Sequence, residues 1–508
     1  MKLSTRIVLC GLLALTWAGA PALAQPGPTP TPTPGDNQTP DELLEEIGAN
    51  LPQAEIGRVI GIICPSGQIT SDDLQARCNE LINAAFRQQV PQAQAALQAM
   101  APEENAAVGS SLVDTAVQQI DRVGQRIEAV RAGARGGVSF NLAVGGPAAG
   151  VSPLLRGFAG APLRGSGFGG SNFGGSDPSF DGAAASPFGN PLDAPFTGLL
   201  SAQTDSGGGG GTAAYEDAAS RWGLFVSGSV QTAERESTDL ETGFDLDGYG
   251  LTIGLDRSGA RSTFGASLAF QSEESDLKSN SGSIDSEAMD ASAHASWFPS
   301  DTLFVDFIAG AGQGDLEQNR RIAYTLSATT VDQVARGETD FEQRFATLAL
   351  GWDVGRGAWQ VSPEARVEWL EVDVDAFSEV MSDPSAPGSG LGLEVDDQSF
   401  TSLTANLGLQ VARSHSTSWG VLQPGAMAEW VHEFEDGVDL LTGRFLGDPT
   451  NQTYVLRSDE PVEDYGRVGV SLTAVTAGGG SFFAQVQHLL GFDHLESTSF
   501  SLGGRLEF

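Results

Sequence analysis

From Trp222 to Phe508 the chain alternates apolar and polar residues with a period of two, and few folds accommodate that pattern over such a length. Along Met289–Trp297 one set is Met289, Ala291, Ala293, Ala295 and Trp297, and the other is Asp290, Ser292, His294 and Ser296. Leu403–Val411 divides as cleanly. Successive side chains of a strand point to opposite faces, so each stretch reads as a strand with one apolar and one polar side. A single such strand fits a soluble sandwich equally well.

Repetition decides between them. About twelve strands, an even number within the range of outer-membrane barrels, begin near Trp222, Gly248, Ser262, Ser286, Leu303, Phe341, Trp359, Phe400, Gly420, Arg467, Ser481 and Ser499. Short turns such as Arg257–Ala260, Pro299–Asp301 and Gly355–Gly357 alternate with longer acidic connections at Ala233–Asp245, Ser378–Asp397 and Glu435–Asp464. Short turns on one rim and long loops on the other are the outer-membrane arrangement. In hydrocarbon every backbone group must be paired within the protein, so a closed barrel is the β solution. Trp297, Trp352, Trp369 and Trp430 stand near strand ends on the apolar side, where interfacial aromatic girdles form. The predicted fold is an all-β transmembrane barrel of about twelve antiparallel strands, preceded by a small α-helical segment and a Gly-rich linker.

Particular segments carry a resemblance. Gly250–Asp256 followed by Phe264–Phe270, with Arg221-Trp222-Gly223 opening the region and Gly503–Phe508 closing it, resemble the autotransporter β-domain over Trp222–Phe508. The resemblance implies a type V secretion translocator in the outer membrane of a Gram-negative cell. The implied partners are outer-membrane lipid, the general secretion machinery and the barrel-assembly machinery. Phe500, Leu502, Gly504, Leu506 and Phe508 alternate with polar residues and read as the barrel insertion signal.

Ahead of the barrel the chain changes character several times. Met1–Ala24 has a basic start, a short apolar core and the small residues Ala22-Leu23-Ala24, which mark an export signal cut between Ala24 and Gln25. Residues 25–40 form a Pro/Thr-rich extended spacer. Residues 41–131 read as helices, with starts at Thr39-Pro40-Asp41-Glu42, Thr70-Ser71-Asp72-Asp73 and Ala101-Pro102-Glu103-Glu104. Cys64 and Cys78 are expected to form a disulfide, because export leads to an oxidising compartment. Residues 132–211 are rich in Gly, Ala, Ser and Pro without a sustained period, and read as a linker. Extended, it exceeds the roughly 40 Å of a bilayer with its headgroups. Residues 212–221 offer one short helix, for which the resemblance implies a place inside the pore.

Charge and histidine placement limit the chemistry. A formal net charge of −38 argues against nucleic acid, which selects basic patches. The histidines are His294, His415, His432, His488 and His494, all in the barrel region, so the preceding segments cannot build a Ser-His-Asp or Cys-His system. No enzyme activity, cofactor or metal is expected. Asp290, His294, Asp306, Glu364, Arg366, Glu368, Glu429, Arg467 and Arg505 are expected to face the lumen. Asp290 and His294 share a face but lie about 13 Å apart by strand rise, too far to act as an acid–base pair. Glu371, Asp373 and Asp375 read as a solvated rim, with a divalent-cation site as the alternative.

The expected function is a barrel that anchors and exports its own short helical segment, whose ligand is unknown. No asparagine lies between Pro191 and Asp245, so no autocatalytic release is expected. Two alternatives stand beside it: a periplasmic helical tether on the same barrel, and a porin-like channel.

Overall fold

The computed structural model describes residues 38–131, 137–146, 221–435, 437–476, 480–491 and 495–506. The expected export signal with its Ala24–Gln25 junction, most of the Pro/Thr spacer, most of the linker and the expected helix at 212–220 lie outside the described residues.

Thirteen strands close into a barrel. They are β1 (Gly137–Gly146), β2 (Arg221–Arg235), β3 (Phe244–Ser258), β4 (Ser262–Leu277), β5 (Gly282–Trp297), β6 (Leu303–Leu326) and β7 (Thr329–Trp352). The wall continues with β8 (Trp359–Val374), β9 (Gln398–Arg413), β10 (Gly420–Glu433), β11 (Asp464–Thr476), β12 (Gly480–Leu490) and β13 (Thr498–Leu506). From β2 to β13 every neighbouring pair is antiparallel, and these strands occupy the positions the alternation marked.

The thirteenth strand is a departure from the expected twelve. β1 lies inside the segment read as linker and inserts at the seam, parallel to β2 (Val138↔Leu224, Val144↔Val230) and antiparallel to β13 (Val138↔Leu506, Val144↔Phe500). The sheet is therefore mixed. Within Gly137–Gly146, Val138, Phe140, Leu142 and Val144 do alternate with Ser139, Asn141 and Ala143. The run is short and bounded by glycines, so composition masked its period.

β3 shows how sequence sets the wall. Burial alternates at every residue from Phe244 to Ser258. Tyr249, Leu251, Ile253 and Leu255 stand outward as part of the lipid-facing belt, while Thr252 and Asp256 point inward and are fully enclosed. Trp222, Trp297, Trp352 and Trp359 stand outward at the short-turn rim, at the level where amphipathic rings favour headgroups. Strands β6 and β7 are each 24 residues long. A membrane-spanning strand needs about 9–11 residues, so this hairpin continues well past the long-loop rim.

Above that rim sits a head built from two sources. One is a four-stranded sheet from the long loops, made of Phe377–Ser378, Leu393–Val395, Leu440–Phe445 and Thr453–Arg457. The other is the helices α1 (Pro40–Ile47), α2 (Leu51–Ile63), α3 (Asp72–Phe86) and α4 (Val90–Met100). Asn50 and Ser71 cap α2 and α3 by accepting from Gln53 N and Leu74 N, which satisfies donors that a helix start leaves open. Cys64 and Cys78 are bonded, with Cα atoms 5.7 Å apart, and tie the end of α2 to α3. Leu44, Ile56, Ile60, Leu81 and Leu97 pack with Leu393, Phe445, Tyr454 and Leu326 in one continuous core. Helices and loops thus share an interior.

Candidate functional site: the helix-filled lumen

The fifth helix, α5 (Glu103–Arg131, 29 residues), leaves the head and descends through the barrel. Its register is readable from its contacts. Glu103, Glu104 and Asn105 lie at the long-loop end, where Gln318 on β6 hydrogen-bonds Asn105. Arg131 lies at the short-turn end, beside Asp306 near the start of β6. The sequence reading placed 103–131 in the helical module and assigned the pore to 212–221; the lumen holds α5, so the module divides between head and pore.

The lumen has two zones along its length. In the upper zone Val108, Leu112, Ala116 and Ile120 of α5 pack against inward Phe244, Leu316, Phe341, Phe345, Val372 and Phe400. This apolar collar grips the helix on one side and leaves open space along the other. The lower zone is polar and charged, and α5 meets it with three arginines.

Arg122 is fully enclosed; its Nη1 donates to Ser229 Oγ at 2.6 Å and its Nε to Thr252 Oγ1 at 3.0 Å. Gln119 Oε1 accepts from the same guanidinium at 3.0 Å and from Thr252 Oγ1 at 2.8 Å. A Cβ at Gly250 would overlap the Arg122 guanidinium, so a glycine in the wall makes room for it. One helical turn further on, Arg126 Nε donates to Asp256 Oδ2 at 2.6 Å and its Nη1 to Ser139 Oγ of β1 at 3.0 Å. At the bottom, Arg131 Nη1 reaches Asp306 Oδ2 at 2.7 Å and Glu364 Oε2 at 3.1 Å, with its Cζ 3.8 Å from the Phe304 ring centre. Buried guanidiniums must be hydrogen-bonded to be tolerated; Arg126 and Arg131 pair with wall carboxylates, and Arg122 is held by the neutral oxygens of Ser229, Thr252 and Gln119.

The expected lumen residues are arranged around this helix. Asp306 and Glu364 hold Arg131. Arg366 pairs with Glu368 at 2.8 Å and Glu429 at 3.0 Å, and Arg467 approaches Glu429 at 3.4 Å. Asp290 accepts from Gln271 Nε2 at 2.8 Å and from Gln343. His294 packs edge-on against Phe225 with ring centres 5.7 Å apart, and neither of its ring nitrogens has a hydrogen-bond partner among the described residues. Arg505 is on β13, and its side chain lies outside the described residues, as do the Leu506 side chain and Phe508. Phe500, Leu502 and Gly504 share that strand, with Leu502 outward and Ser501 inward. On the outer surface Arg344 approaches both Glu371 and Asp373 at 3.4 Å. Sequence reasoning missed the three arginines of α5: Arg122 and Arg126, four residues apart, share a helical face, whereas Arg131, nine residues after Arg122, points about 180° away and meets another part of the wall.

Where α5 meets the head, Arg320 on the extension of β6 forms a bidentate pair with Glu379, Nε–Oε1 2.8 Å and Nη2–Oε2 2.7 Å. Its guanidinium also donates to the carbonyls of Met100 and Leu391. Glu104 is buried beside this pair, and its Oε2 has no hydrogen-bond partner among the described residues. Burial pushes the Glu104 carboxyl up to about 8, against the opposing pull of Arg320. A cavity of ≈ 780 Å³ runs beside α5 against β2, β9 and β11, and a smaller one of ≈ 120 Å³ lies near Arg131.

The sequence pattern of the family described as "Autotransporter beta-domain" matches residues 224–487, just over half of the chain. The chain belongs to the autotransporter β-domain family. An autotransporter barrel is an outer-membrane translocator, and that assignment holds for the barrel here. Esterase EstA of Pseudomonas aeruginosa and that of Pseudomonas putida are each 25% identical over 262 residues, covering 50% of this autotransporter and 38% of their own length. The chain thus spans well under half of those relatives. Among solved structures, the translocator domain of NalP from Neisseria meningitidis aligns at TM-score 0.40 and 16% identity, covering 55% of this chain and 85% of that one. The β-domain of the Bordetella autotransporter BrkA aligns at TM-score 0.36 and 18% identity, covering 56% and 98%.

Proposed function

We propose that this autotransporter carries its own N-terminal helices, α1–α4, to the cell surface and retains them there with the pore filled by α5. The observation that carries this reading is direction. α1–α4 pack on the long loops, α5 enters the lumen at that rim, and its last arginine is anchored at the short-turn rim. Long loops face outward in bacterial outer-membrane barrels. The head therefore sits on the outer side in this reading, and the periplasmic tether would need the barrel inverted. A filled lumen also speaks against an open porin-like channel.

Esterase chemistry is not part of the proposal, because the segments before the barrel hold no histidine. The alternating set Phe500, Leu502, Gly504, Leu506 and Phe508 is proposed to be read by the barrel-assembly machinery. The test is topological. External protease on intact cells should remove an epitope tag placed beside Gln38 and leave the strands in the membrane. A tag that resists protease until the outer membrane is permeabilised would replace this reading with the tether.

A further inference from the structure

The long loops do more than join strands: they present a surface that is apolar and complete only when helices lie on it. Leu391, Leu393, Phe445 and Tyr454 of the loops, with Ile322 and Leu326 of the β6 extension, are buried against α1–α4. Uncovered, they would form an exposed apolar patch of the kind that marks an interaction site.

Directed polar contacts surround this patch, and most come from one short stretch, Thr70 to Glu80, at the entry to and in α3. Asp73 Oδ2 accepts from the backbone N–H of both Gly388 and Gly390, each at 2.9 Å. Thr70 donates through its N–H and its Oγ1 to the Gly447 carbonyl, at 3.0 and 3.1 Å. Thr329 Oγ1, at the tip of the β6–β7 hairpin, donates to Glu80 Oε1 at 2.7 Å. On the other side of the head Val455 N donates to Glu55 Oε1 at 2.9 Å. The fit is close as well as polar: a Cβ at Gly390 would overlap Leu74 N. Thr70, Asp73 and Leu74 all fall within the segment closed by the Cys64–Cys78 bond, so the disulfide restricts the stretch that docks.

We infer that the loop insertions Phe377–Val395 and Leu440–Arg457 act as a built-in receptor for α1–α3, holding them by contact and not by continuity of the chain. The segment is then a bound ligand of the barrel that also happens to be tethered to it. It stays in place after the chain between α3 and α4 is cut. This goes beyond the export reading and does not depend on which rim faces outward.

The connector between α3 and α4 makes the test direct. Arg87 and Gln88 are exposed, so a site for a sequence-specific protease can replace Gln88 in the full-length protein. After purification in detergent and cleavage, the fragment carrying α1–α3 should co-elute with the barrel on size exclusion and separate only in denaturant. Asp73→Ala with Gly390→Val, introduced into the same cleavable protein, should make the fragment leave roughly tenfold faster or more. A fragment that elutes alone from the cut protein, while uncut protein keeps its head folded, overturns the inference. Equal retention with and without the two substitutions also overturns it, since α4 and not the loops would then be the holder.

Discussion

Arg126 Nε lies 2.6 Å from Asp256 Oδ2, joining the pore helix to the inner face of β3 with both side chains closed to solvent. Removing one member leaves a buried charge alone, which costs about 3–5 kcal/mol where it has been measured in other proteins. Asp256→Ala should therefore loosen α5 and raise the frequency of open-pore events in planar lipid bilayers. Arg126→Met combined with Asp256→Ala should fall back toward the wild-type trace, because no unpaired charge remains. A single variant as quiet as wild type would show that the apolar collar with Arg122 and Arg131 holds the helix without this pair.

Glu104 gives the head a pH dependence with a definite sign. Burial raises its folded pKa to about 8, above the ordinary carboxylate value. The folded protein thus holds a proton that the unfolded chain releases. Stability from this group is full below the ordinary carboxylate range and is lost as pH rises through about 8, with a slope of up to about 1.4 kcal/mol per pH unit in between. Arg320, Glu379 and Glu103 face the same space, and Glu103 is also raised by burial while accepting from Gln98 and Asn50. Resistance of the head to limited proteolysis on heating should fall from pH 5 to pH 8, and Glu104→Gln should flatten most of that change. An unchanged slope in Glu104→Gln would assign it to Glu103.

The two faces of β4 should respond oppositely to substitution. Leu268 is outward and largely exposed, at 65%, whereas Ser267 points inward and shares a 2.7 Å hydrogen bond with Ser292. Leu268→Arg places a charge in hydrocarbon and should cost about 2–4 kcal/mol if it lies near the bilayer midplane. Ser267→Ala removes one hydrogen bond and should cost roughly 1–3 kcal/mol at most. Assembly into the outer membrane, read as heat-modifiable mobility on gels, should drop for the first and persist for the second.

The seam makes a fourth test. β1 is paired on both sides, so a proline within it removes a donor from a ladder with no free edge. Leu142→Pro should lower the temperature at which the folded barrel converts to its unfolded mobility, without abolishing assembly of β2–β13. No change in that temperature would mean that the barrel closes without β1.

Most of the wall was legible in the sequence because hydrocarbon on one side and helix or water on the other force a strict period of two. β3 carries that period through all of its 15 residues. β1 escaped notice since Gly137, Gly145 and Gly146 blend into the surrounding composition. The inner face misled in a more instructive way. Ser, Thr, Asp and Gln facing inward read as water contacts, but Thr252, Ser229 and Asp256 are partners for arginines on a helix over a hundred residues earlier. No local pattern announces such a pairing. The head was hidden for the same reason, as Phe445 and Tyr454 look like loop aromatics until α1–α4 cover them.

The descent of α5 through a fixed wall makes its length a matter of phase. One residue added between Ile120 and Arg122 would turn everything below it by about 100° and lower it by about 1.5 Å. Arg122, Arg126 and Arg131 would then leave Thr252, Asp256 and Asp306 together, while the apolar contacts above stayed in place. Seven added residues restore the angle to within about 20°, yet they carry the arginines about 10 Å past their partners. Neither a small nor a large insertion keeps both coordinates. Insertions should therefore be tolerated only in segments outside this helix, and any graft onto the barrel must carry α5 over whole, from Glu103 to Arg131.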